Sequence, residues 1–175
     1  AIQFPTPEID VSDLCGILDS DLFSAKPFIK LASTNGLTIN SAMLALFGLL
    51  VGRITGEKSL LVAHPSSWRE LDNETLIGYF GDLALVPIDA IADRTFLEFA
   101  GQIQKYLSLA IAEPVGISQI AKALLGSEKR ELGRVMLSMQ TASPEKLELS
   151  GIRADLIQLP SQKARADLNL HIIKN

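Results

Sequence analysis

The sequence predicts an α/β domain in which helices cover a mixed β-sheet. Long apolar segments with helical spacing open the chain and recur near its middle, and short apolar runs of strand length lie between and after them. The predicted order is helix, helix, strand, strand, helix, short helix and then three strands. This order lacks the regular strand–helix alternation of a doubly wound nucleotide-binding fold, and no G-x-G-x-x-G or G-x-x-x-x-G-K motif occurs.

Residues 1–20 are expected to form an extended lead-in, because two prolines interrupt them. The remainder, residues 21–175, is expected to form one domain. Its first helix has Pro27 in the first turn and Gly36 just past the end, which is the usual placement of these two residue types.

The second predicted helix begins after a Thr38 cap and ends at Gly56. It is apolar nearly all round, so we expect it to lie inside the domain. Its two internal glycines, Gly48 and Gly52, each lower helix stability by about 1 kcal/mol. We therefore expect them to permit close packing against another element.

The first two predicted strands follow. Ser59 to His64 is a short apolar run bounded by polar residues, and residues 65–71 are expected to form a loop after it. Residues 82–88 predict a second strand, and Pro87 places that strand at a sheet edge or at its own end, since proline cannot donate a ladder hydrogen bond.

A capping box of Thr95 and Glu98 predicts the start of the third helix, and Pro114 predicts its end. Its apolar positions recur every three or four residues and predict a buried face: Phe96, Phe99, Ile103, Leu107 and Ile111. A short helix over residues 118–126 is expected next. The last three predicted strands cover residues 134–140, 152–159 and 166–173.

Composition limits the possible functions. The chain has 175 residues, 47% of them hydrophobic, and a net charge of -4, which fits one globular domain and argues against a nucleic-acid partner. No apolar run reaches the roughly 20 residues of a membrane-spanning helix, and the first residues lack a signal-peptide pattern. Cys15 is the single cysteine, so an internal disulfide is impossible, and a cytoplasmic location without membrane attachment is expected.

Two histidines are candidates for chemistry. His64 ends a predicted strand near Ser66 and could activate a hydroxyl, but a structural histidine bonded to nearby backbone is the favoured interpretation because no G-x-S-x-G elbow is present. His171 shares one strand face with Asp167 and Asn169, which could line a cleft or simply face solvent. Two histidines without ligand spacing make a zinc site improbable, so no metal and no catalytic residue are assigned.

Other chemically distinctive residues have simpler explanations. Trp68 and Arg69 could recognise an anion or stack on a ligand, but a loop-anchoring role is slightly favoured. Cys15 has no basic or histidine neighbour and is interpreted as a small buried hydrophobe. Met136 and Met139 belong to an apolar strand and are expected to pack in the core.

Five segments in order resemble the C-terminal half of condensation domains of nonribosomal peptide synthetases, which have a chloramphenicol acetyltransferase-like fold. The resemblance extends from about residue 5 to residue 171 and depends on the order and spacing of the set. The segments are TINSAMLALFGLLVGRITGEKSLLVAHPSSWR, LIGYFGDLALVPI, FLEFAGQIQKYLSLAIAEP, RVMLSMQ and KARADLNLHI.

The resemblance implies half of a fold with two subdomains that form a V around a tunnel. Carrier proteins present substrates there on phosphopantetheine arms, and an amide forms between an acyl thioester and an acceptor amine, or less often an ester with a hydroxyl. The family's HHxxxDG motif and its DFGWG-type loop do not occur in this sequence. The chain is therefore expected to be a truncated C-terminal subdomain that binds no cofactor itself and is inactive alone.

The resemblance also implies partners and site residues. Expected partners are the N-terminal condensation subdomain, peptidyl or acyl carrier proteins, and a second copy of the chain through an exposed tunnel face. Tyr79 and Phe80 would pack the sheet against the next element, and Asp82 replaces an asparagine of the family pattern and could pair with an incoming amine. The substrate-binding residues that the resemblance assigns are Gly78, Tyr79, Asp82, Ser66 and Asp167.

Two alternatives stay open. The first is a condensation-like domain without catalysis that recruits partner proteins, which the altered pattern around Asp82 motivates. The second is a stand-alone acyltransferase of polyketide or lipid metabolism with the same fold.

Overall fold

The computed structural model describes residues 24–67, 69, 74–90, 93–125, 132–141, 146–150, 152–155 and 166–174. The predicted lead-in, Cys15 and Trp68 lie outside these residues. The elements, in chain order, are α1 Lys26–Thr34, α2 Ile39–Thr55, β1 Ser59–Ser67, β2 Gly81–Asp89, α3 Phe96–Ala112, α4 Ile117–Leu125, β3 Val135–Thr141, β4 Lys146–Leu149, β5 Ile152–Asp155 and β6 Leu168–Lys174.

The main sheet has four strands in the order β2-β1-β3-β6. β1 and β2 are antiparallel along their whole length, from Ser59 opposite Asp89 to Ser67 opposite Gly81. β3 and β6 are parallel along theirs. The register between β1 and β3 is parallel and consists of the pair Ala63 and Met136, so two long ladders meet at one short junction. β4 and β5 form a separate antiparallel pair.

Helices cover both faces of this sheet, as the sequence predicted. α2 and α3 pack on one face, where the buried side chains of β1 and β2 alternate along each strand. α4 packs on the other face against Leu61, Leu83 and Leu85. The largest fully buried hydrophobic side chains lie between the sheet and the helices α2 and α3: Leu44, Val51, Val62, Val86, Ile88, Ile103, Val135 and Leu137.

The glycines of α2 have the predicted role in packing. A Cβ atom at Gly48 would lie 2.8 Å from the side chain of Ile88, and one at Gly52 would lie 2.6 Å from the Cβ of Ala90. Both distances are too short for any larger side chain. The helix backbone thus rests directly on the end of β2, and this contact fixes the position of that strand.

The predicted caps are also present. The Thr38 hydroxyl accepts from the N–H of Ser41, and Gly56 ends α2 with a φ of 72°. Thr95 and Glu98 form the complete capping box of α3. The backbone N–H of Thr95 and then its hydroxyl stabilise the Glu98 carboxylate, which lowers the pKa of Glu98.

One face of α2 differs from the prediction. The helix was expected to be buried all round, but Leu46, Leu50 and Ile54 are exposed. These three residues are four apart and form one stripe on the side away from the sheet. Ile111, predicted for the buried face of α3, is exposed in the last turn of that helix.

One strand is longer than predicted, and another was not predicted. β1 continues to Ser67, so Pro65 and Ser66 belong to a strand and not to a loop. Pro65 lies in an exposed position of that strand, opposite Leu83. β4 was not predicted at all, because its sequence KLEL is short and lies between polar segments. The edge position predicted for β2 from Pro87 is confirmed.

No single helix among the described residues is long and apolar enough to cross a membrane. Two pairs of consecutive helices reach the required length and composition together, but each pair is bent, by 111° and 108°.

Replacing Gly52 by alanine is expected to lower the free energy of unfolding by about 1–3 kcal/mol, because the new methyl group would collide with Ala90. Gly101 is the matched control, since it lies inside α3 and has nothing within 4 Å of its Cβ position. Gly101→Ala should raise the free energy of unfolding by about 0.5–1 kcal/mol through helix propensity. Urea unfolding of both variants measures the two changes in the free energy of unfolding. If both changes had the same sign, the close packing of α2 would be contradicted.

Candidate functional site

The candidate site lies at the edge of the sheet where the parallel strands β1, β3 and β6 end. The chain enters β2 at this edge, and Asp82 lies opposite Ser66 in the register of β1 and β2. Residues 74–80 precede β2 and lead into the same edge. Ligands of open α/β sheets commonly bind outside the carboxyl ends of the strands, so the position fits a binding site.

Arg69 organises the loop of residues 74–80. Its Nη1 donates to the carbonyl oxygens of Glu74 at 3.1 Å and Leu76 at 3.0 Å, and its Nη2 donates to that of Gly78 at 3.2 Å. The guanidinium carbon lies 4.6 Å from the centre of the Phe80 ring. The interpretation of Arg69 as a loop anchor is therefore confirmed, and the sequence contained no indication of which carbonyl groups it would bind.

The backbone of Gly78 lies close to the Phe80 ring. A Cβ atom there would lie 2.9 Å from a ring carbon of Phe80. Tyr79 does not pack the sheet against another element, since 92% of its surface is exposed. The carbonyl groups on either side of Ile77 point to Arg69, and the side chains of Ile77 and Tyr79 face solvent. Phe80 is the half-buried aromatic residue of the pair.

Asp82 is half-buried, and each of its carboxylate oxygens accepts a backbone hydrogen bond. Oδ1 accepts from the N–H of Leu83 at 2.8 Å, and Oδ2 accepts from the N–H of Ile117 at 3.1 Å. Ile117 is the first residue of α4, where free N–H groups and the helix dipole favour a carboxylate. Asp82 thus ties the start of β2 to α4, and its remaining lone pairs could still accept from a ligand.

Asp167 is not close to the other predicted site residues. It precedes β6, on the far side of the sheet from β2, and it lies at the end where the parallel strands begin. Its N–H donates to the carbonyl oxygen of Arg134 at 2.8 Å, and its carboxylate pairs with the Arg134 guanidinium. The structure therefore places Ser66 opposite Asp82, with Tyr79 beside Gly81, and it places Asp167 elsewhere. Gly78 lies in the loop that leads to this point, against Phe80.

His64 lies inside β1, not at its end. The residue is buried, and its Nδ1 lies 2.9 Å from the carbonyl oxygen of Leu137 in β3, so this nitrogen donates its proton to the neighbouring strand. Burial lowers the pKa of His64, and the hydrogen bond to Leu137 opposes this in part. The histidine is structural, as favoured, but its partner is strand backbone and not a loop. It joins β1 to β3 beside their short junction.

His171 forms a pair that the sequence did not predict. Its Nδ1 lies 2.7 Å from the hydroxyl oxygen of Ser138, directly opposite in the register of β3 and β6. A serine and an imidazole at this distance have the geometry of a nucleophile and a base. The pair lies on an exposed sheet surface with Asn169 and Asp167, which is the solvent-facing arrangement considered for this strand. Met136 and Met139, expected in the core, are half-buried in β3.

A second polar feature is a cavity of about 240 Å³ lined by Arg53, Asp89, Arg94, Phe96 and Phe99, among others. The Arg94 guanidinium donates to Gln102, lies 3.5 Å from Asp89, and stacks over Phe99 at 5.0 Å. It lies at the opposite end of β2 from the loop of Arg69. Within the described ranges, no group of three histidine, cysteine, aspartate or glutamate side chains could hold a metal ion.

Known proteins with a similar sequence or fold include nonribosomal peptide synthetases, condensation domains and an X-domain. No family model matches the chain. A plipastatin synthase polypeptide of Bacillus subtilis (strain 168) is 24% identical over 162 residues, which are 88% of this chain and 6% of that protein. The X-domain in its complex with OxyB from teicoplanin biosynthesis superimposes with a TM-score of 0.69 at 23% identity, over 84% of this chain and 33% of that one.

Two further solved structures superimpose on the chain to a similar extent. A four-domain nonribosomal peptide synthetase bound to AMP and glycine gives a TM-score of 0.68 at 17% identity, over 84% of this chain and 13% of that one. The condensation domain of the monacolin K polyketide synthase gives 0.67 at 16% identity, over 85% of this chain and 36% of that one. The chain has a condensation-domain fold. The resemblance predicted from the ordered segments and the chloramphenicol acetyltransferase-like fold class are confirmed.

The chain is much shorter than the proteins it matches. It spans 6% of the plipastatin synthase polypeptide, 33% of the teicoplanin X-domain chain and 13% of the four-domain synthetase.

Lowering the pH from about 7 to about 5 is expected to reduce the free energy of unfolding, because the pKa of His64 is lower in the folded chain than in the unfolded one. The unfolded state then binds more protons below the ordinary histidine pKa. The stability that comes from neutral His64 is complete above that pKa and is lost as the pH falls toward the folded-state value.

Urea unfolding at several pH values measures this loss. His64→Asn should remove the pH dependence in that interval, and His171→Asn, at the other histidine of the chain, should retain it. Equal pH profiles for the two variants would show that His64 is not the group responsible.

Proposed function

We propose that the chain is the C-terminal subdomain of a condensation-type acyltransferase, and that it supplies tunnel wall and the acceptor side of the reaction site. The condensation-domain fold supports this proposal, together with the loop of residues 74–80 and the start of β2 at the carboxyl edge of the sheet. The observation that supports it most is that Ser66 lies opposite Asp82 in the register of β1 and β2, and that the Tyr79 ring lies beside the neighbouring pair of Ser67 and Gly81.

The reaction proposed for the intact enzyme is amide formation. The lone pair of an acceptor amine attacks the carbonyl carbon of an acyl thioester, the carbon–sulfur bond breaks, and the phosphopantetheine thiol leaves with the proton that the amine loses. A general base would come from the N-terminal subdomain, because the HHxxxDG motif is absent from this sequence. The chain itself would bind and orient the acceptor, which is a catalytic contribution through proximity.

Asp82 is the proposed electrostatic contact of the acceptor. A carboxylate with both oxygens held by backbone N–H groups is fixed in position and keeps lone pairs for an amine or ammonium group. The Ser66 hydroxyl and the Tyr79 ring would line the same surface. Asp167 would belong to a separate part of the wall, since it lies across the sheet.

The proposed partners are an N-terminal condensation subdomain and peptidyl or acyl carrier proteins, with phosphopantetheine as the carrier of substrate and not as a group held by this chain. The cytoplasm is the proposed location. Dimerisation through an exposed tunnel face is a further proposal for the chain in isolation.

A second candidate function is recruitment of a partner protein without catalysis. One of the structures similar to this chain is an X-domain in complex with OxyB. The hydrogen bonds of Asp82 to Leu83 and Ile117 also give that residue a structural use without any substrate. A stand-alone acyltransferase is the third candidate, and its support is that a condensation domain of a polyketide synthase is among the similar structures.

The 175-residue chain alone is expected to form no amide above the uncatalysed rate when it is mixed with a carrier-bound acyl thioester and an amine. The reason is the missing HHxxxDG motif. Mass spectrometry of the carrier arm measures the product, and the same mixture without protein is the control. Amide formation above that background would contradict the proposed division of labour between subdomains.

Asp82→Asn in a polypeptide that contains both subdomains is expected to raise the KM for the acceptor about tenfold, because a charge-assisted contact is lost. The kcat at saturating acceptor should change less. Asp89→Asn is the matched control, since it removes a carboxylate at the other end of the same strand. If both variants keep the normal acceptor KM, Asp82 has only its structural role, and the recruitment function gains support.

A further inference from the structure

The Arg69 loop has an unusual backbone arrangement. The carbonyl groups of Glu74, Leu76 and Gly78 alternate along the chain, and all three accept hydrogen bonds from one guanidinium group. Residues 74 and 75 form a turn, and Gly78 lies at a bend. Three carbonyl groups of this short segment are therefore held by a single side chain.

The ring of Phe80 contacts one face of the guanidinium group, which remains exposed to solvent. It lies under the guanidinium carbon at 4.6 Å, so the charge is bound by carbonyl oxygens at its edge and by an aromatic face. Gly78 is the residue that allows this, because any Cβ there would meet Phe80 at 2.9 Å. Arg69, Gly78 and Phe80 thus depend on one another for this arrangement.

The other end of the loop is fixed independently. Asp82 binds the first N–H of α4 and the N–H of Leu83, and β2 pairs with β1 from Gly81 onward. Residues 76–80 therefore lie between two anchored points. Within this segment the side chains of Ile77 and Tyr79 are almost completely exposed.

We infer that Arg69 is a positioning residue, which fixes the loop of Gly78 and Tyr79 in its binding shape before any substrate or partner arrives. The inference rests on the proposed acceptor role of that loop. A loop that is already ordered loses less conformational entropy when it binds, so Arg69 would act on binding through the loop without touching the reacting atoms.

Lysine cannot replace Arg69 in this role. The guanidinium group is planar and has five N–H donors in fixed directions, which allows it to bind three carbonyl groups at once. A lysine at the same position would retain the positive charge but hold the carbonyl groups from one mobile ammonium group. The Arg69→Lys variant therefore removes the fixed hydrogen-bond geometry of the guanidinium group and keeps its positive charge.

The test uses the two tyrosines of the chain, Tyr79 and Tyr106. Replacing both by 3-fluorotyrosine gives one ¹⁹F signal from the loop and one from α3, where Tyr106 accepts a hydrogen bond from Gln102. In Arg69→Lys the Tyr79 signal should move toward its position in the urea-unfolded chain, and the Tyr106 signal should stay in place. Arg53→Lys, an exposed arginine of α2, is the control and should move neither signal.

Two results would overturn the positioning role. An unchanged Tyr79 signal in Arg69→Lys would show that the loop keeps its shape without the guanidinium group. Movement of both signals would show that Arg69 supports the whole fold and not the loop. Phe80→Leu gives a second test, since it removes the ring under the guanidinium and should shift the Tyr79 signal in the same direction.

A kinetic measurement distinguishes this inference from the proposed function. In a polypeptide with both subdomains, Arg69→Lys should raise the acceptor KM and leave kcat nearly unchanged. A displaced Tyr79 signal with an unchanged KM would confirm the positioning role and reject the acceptor role of the loop. An unchanged signal would reject the positioning role whatever the kinetics.

Discussion

The junction between β1 and β3 determines how the two halves of the sheet are joined. The register pairs Ala63 with Met136, and the imidazole of His64 donates to the carbonyl oxygen of Leu137 beside that pair. On one side of the junction the β1–β2 ladder leads to the loop of Arg69, and on the other the β3–β6 ladder carries the Ser138–His171 pair. A buried histidine can perform this function because its side chain supplies an N–H group where the strand backbones separate. The core formed with α2 and α3 includes side chains from both ladders, so packing against these helices also holds the two ladders together.

Helix packing also sets the position of the candidate site. Gly48 and Gly52 bring the α2 backbone against Ile88 and Ala90 at the end of β2. From that end the register of β1 and β2 continues without interruption to Gly81 and Ser67. The position at which the loop of residues 74–80 joins β2 therefore depends on the contact of α2 with the other end of β2. The N-terminus of α4, held by Asp82, supports the same point from the opposite face of the sheet.

The sequence was sufficient for most of the fold because the signals were local. The Thr95 and Glu98 box, the Gly56 end of α2, and the spacing of Phe99 and Ile103 can each be recognised within a few residues. The exposed stripe of α2 was not predictable in this way, because a helix that is apolar all round carries no indication of which face is covered. β4 was missed because four residues are too few for an alternating pattern to appear.

The candidate site was predictable only as a set of residues. Sequence resemblance assigned Ser66, Gly78, Tyr79 and Asp82, and strand register then placed Ser66 opposite Asp82. Asp167 was assigned to the same set on the same grounds, but its strand lies across the sheet. Long-range partners such as Ile117 for Asp82, Leu137 for His64 and Ser138 for His171 depend on topology, which no local pattern encodes.

Asp82 has to meet two demands that oppose each other. As the acceptor of the first N–H of α4 it stabilises the fold best when its carboxylate stays fixed and partly buried. As the proposed contact for an amine, it would need to be accessible. An asparagine in the same position could accept only one of the two backbone hydrogen bonds that Asp82 accepts. Its side chain has one oxygen, and its amide nitrogen cannot accept from a backbone N–H. An aspartate meets both when its two oxygens are each held through one lone pair, as they are here by Leu83 and Ile117. The negative charge at this edge of the sheet is thus fixed in direction by the fold itself, and a cationic or amine-bearing ligand would meet it without any rearrangement of the chain.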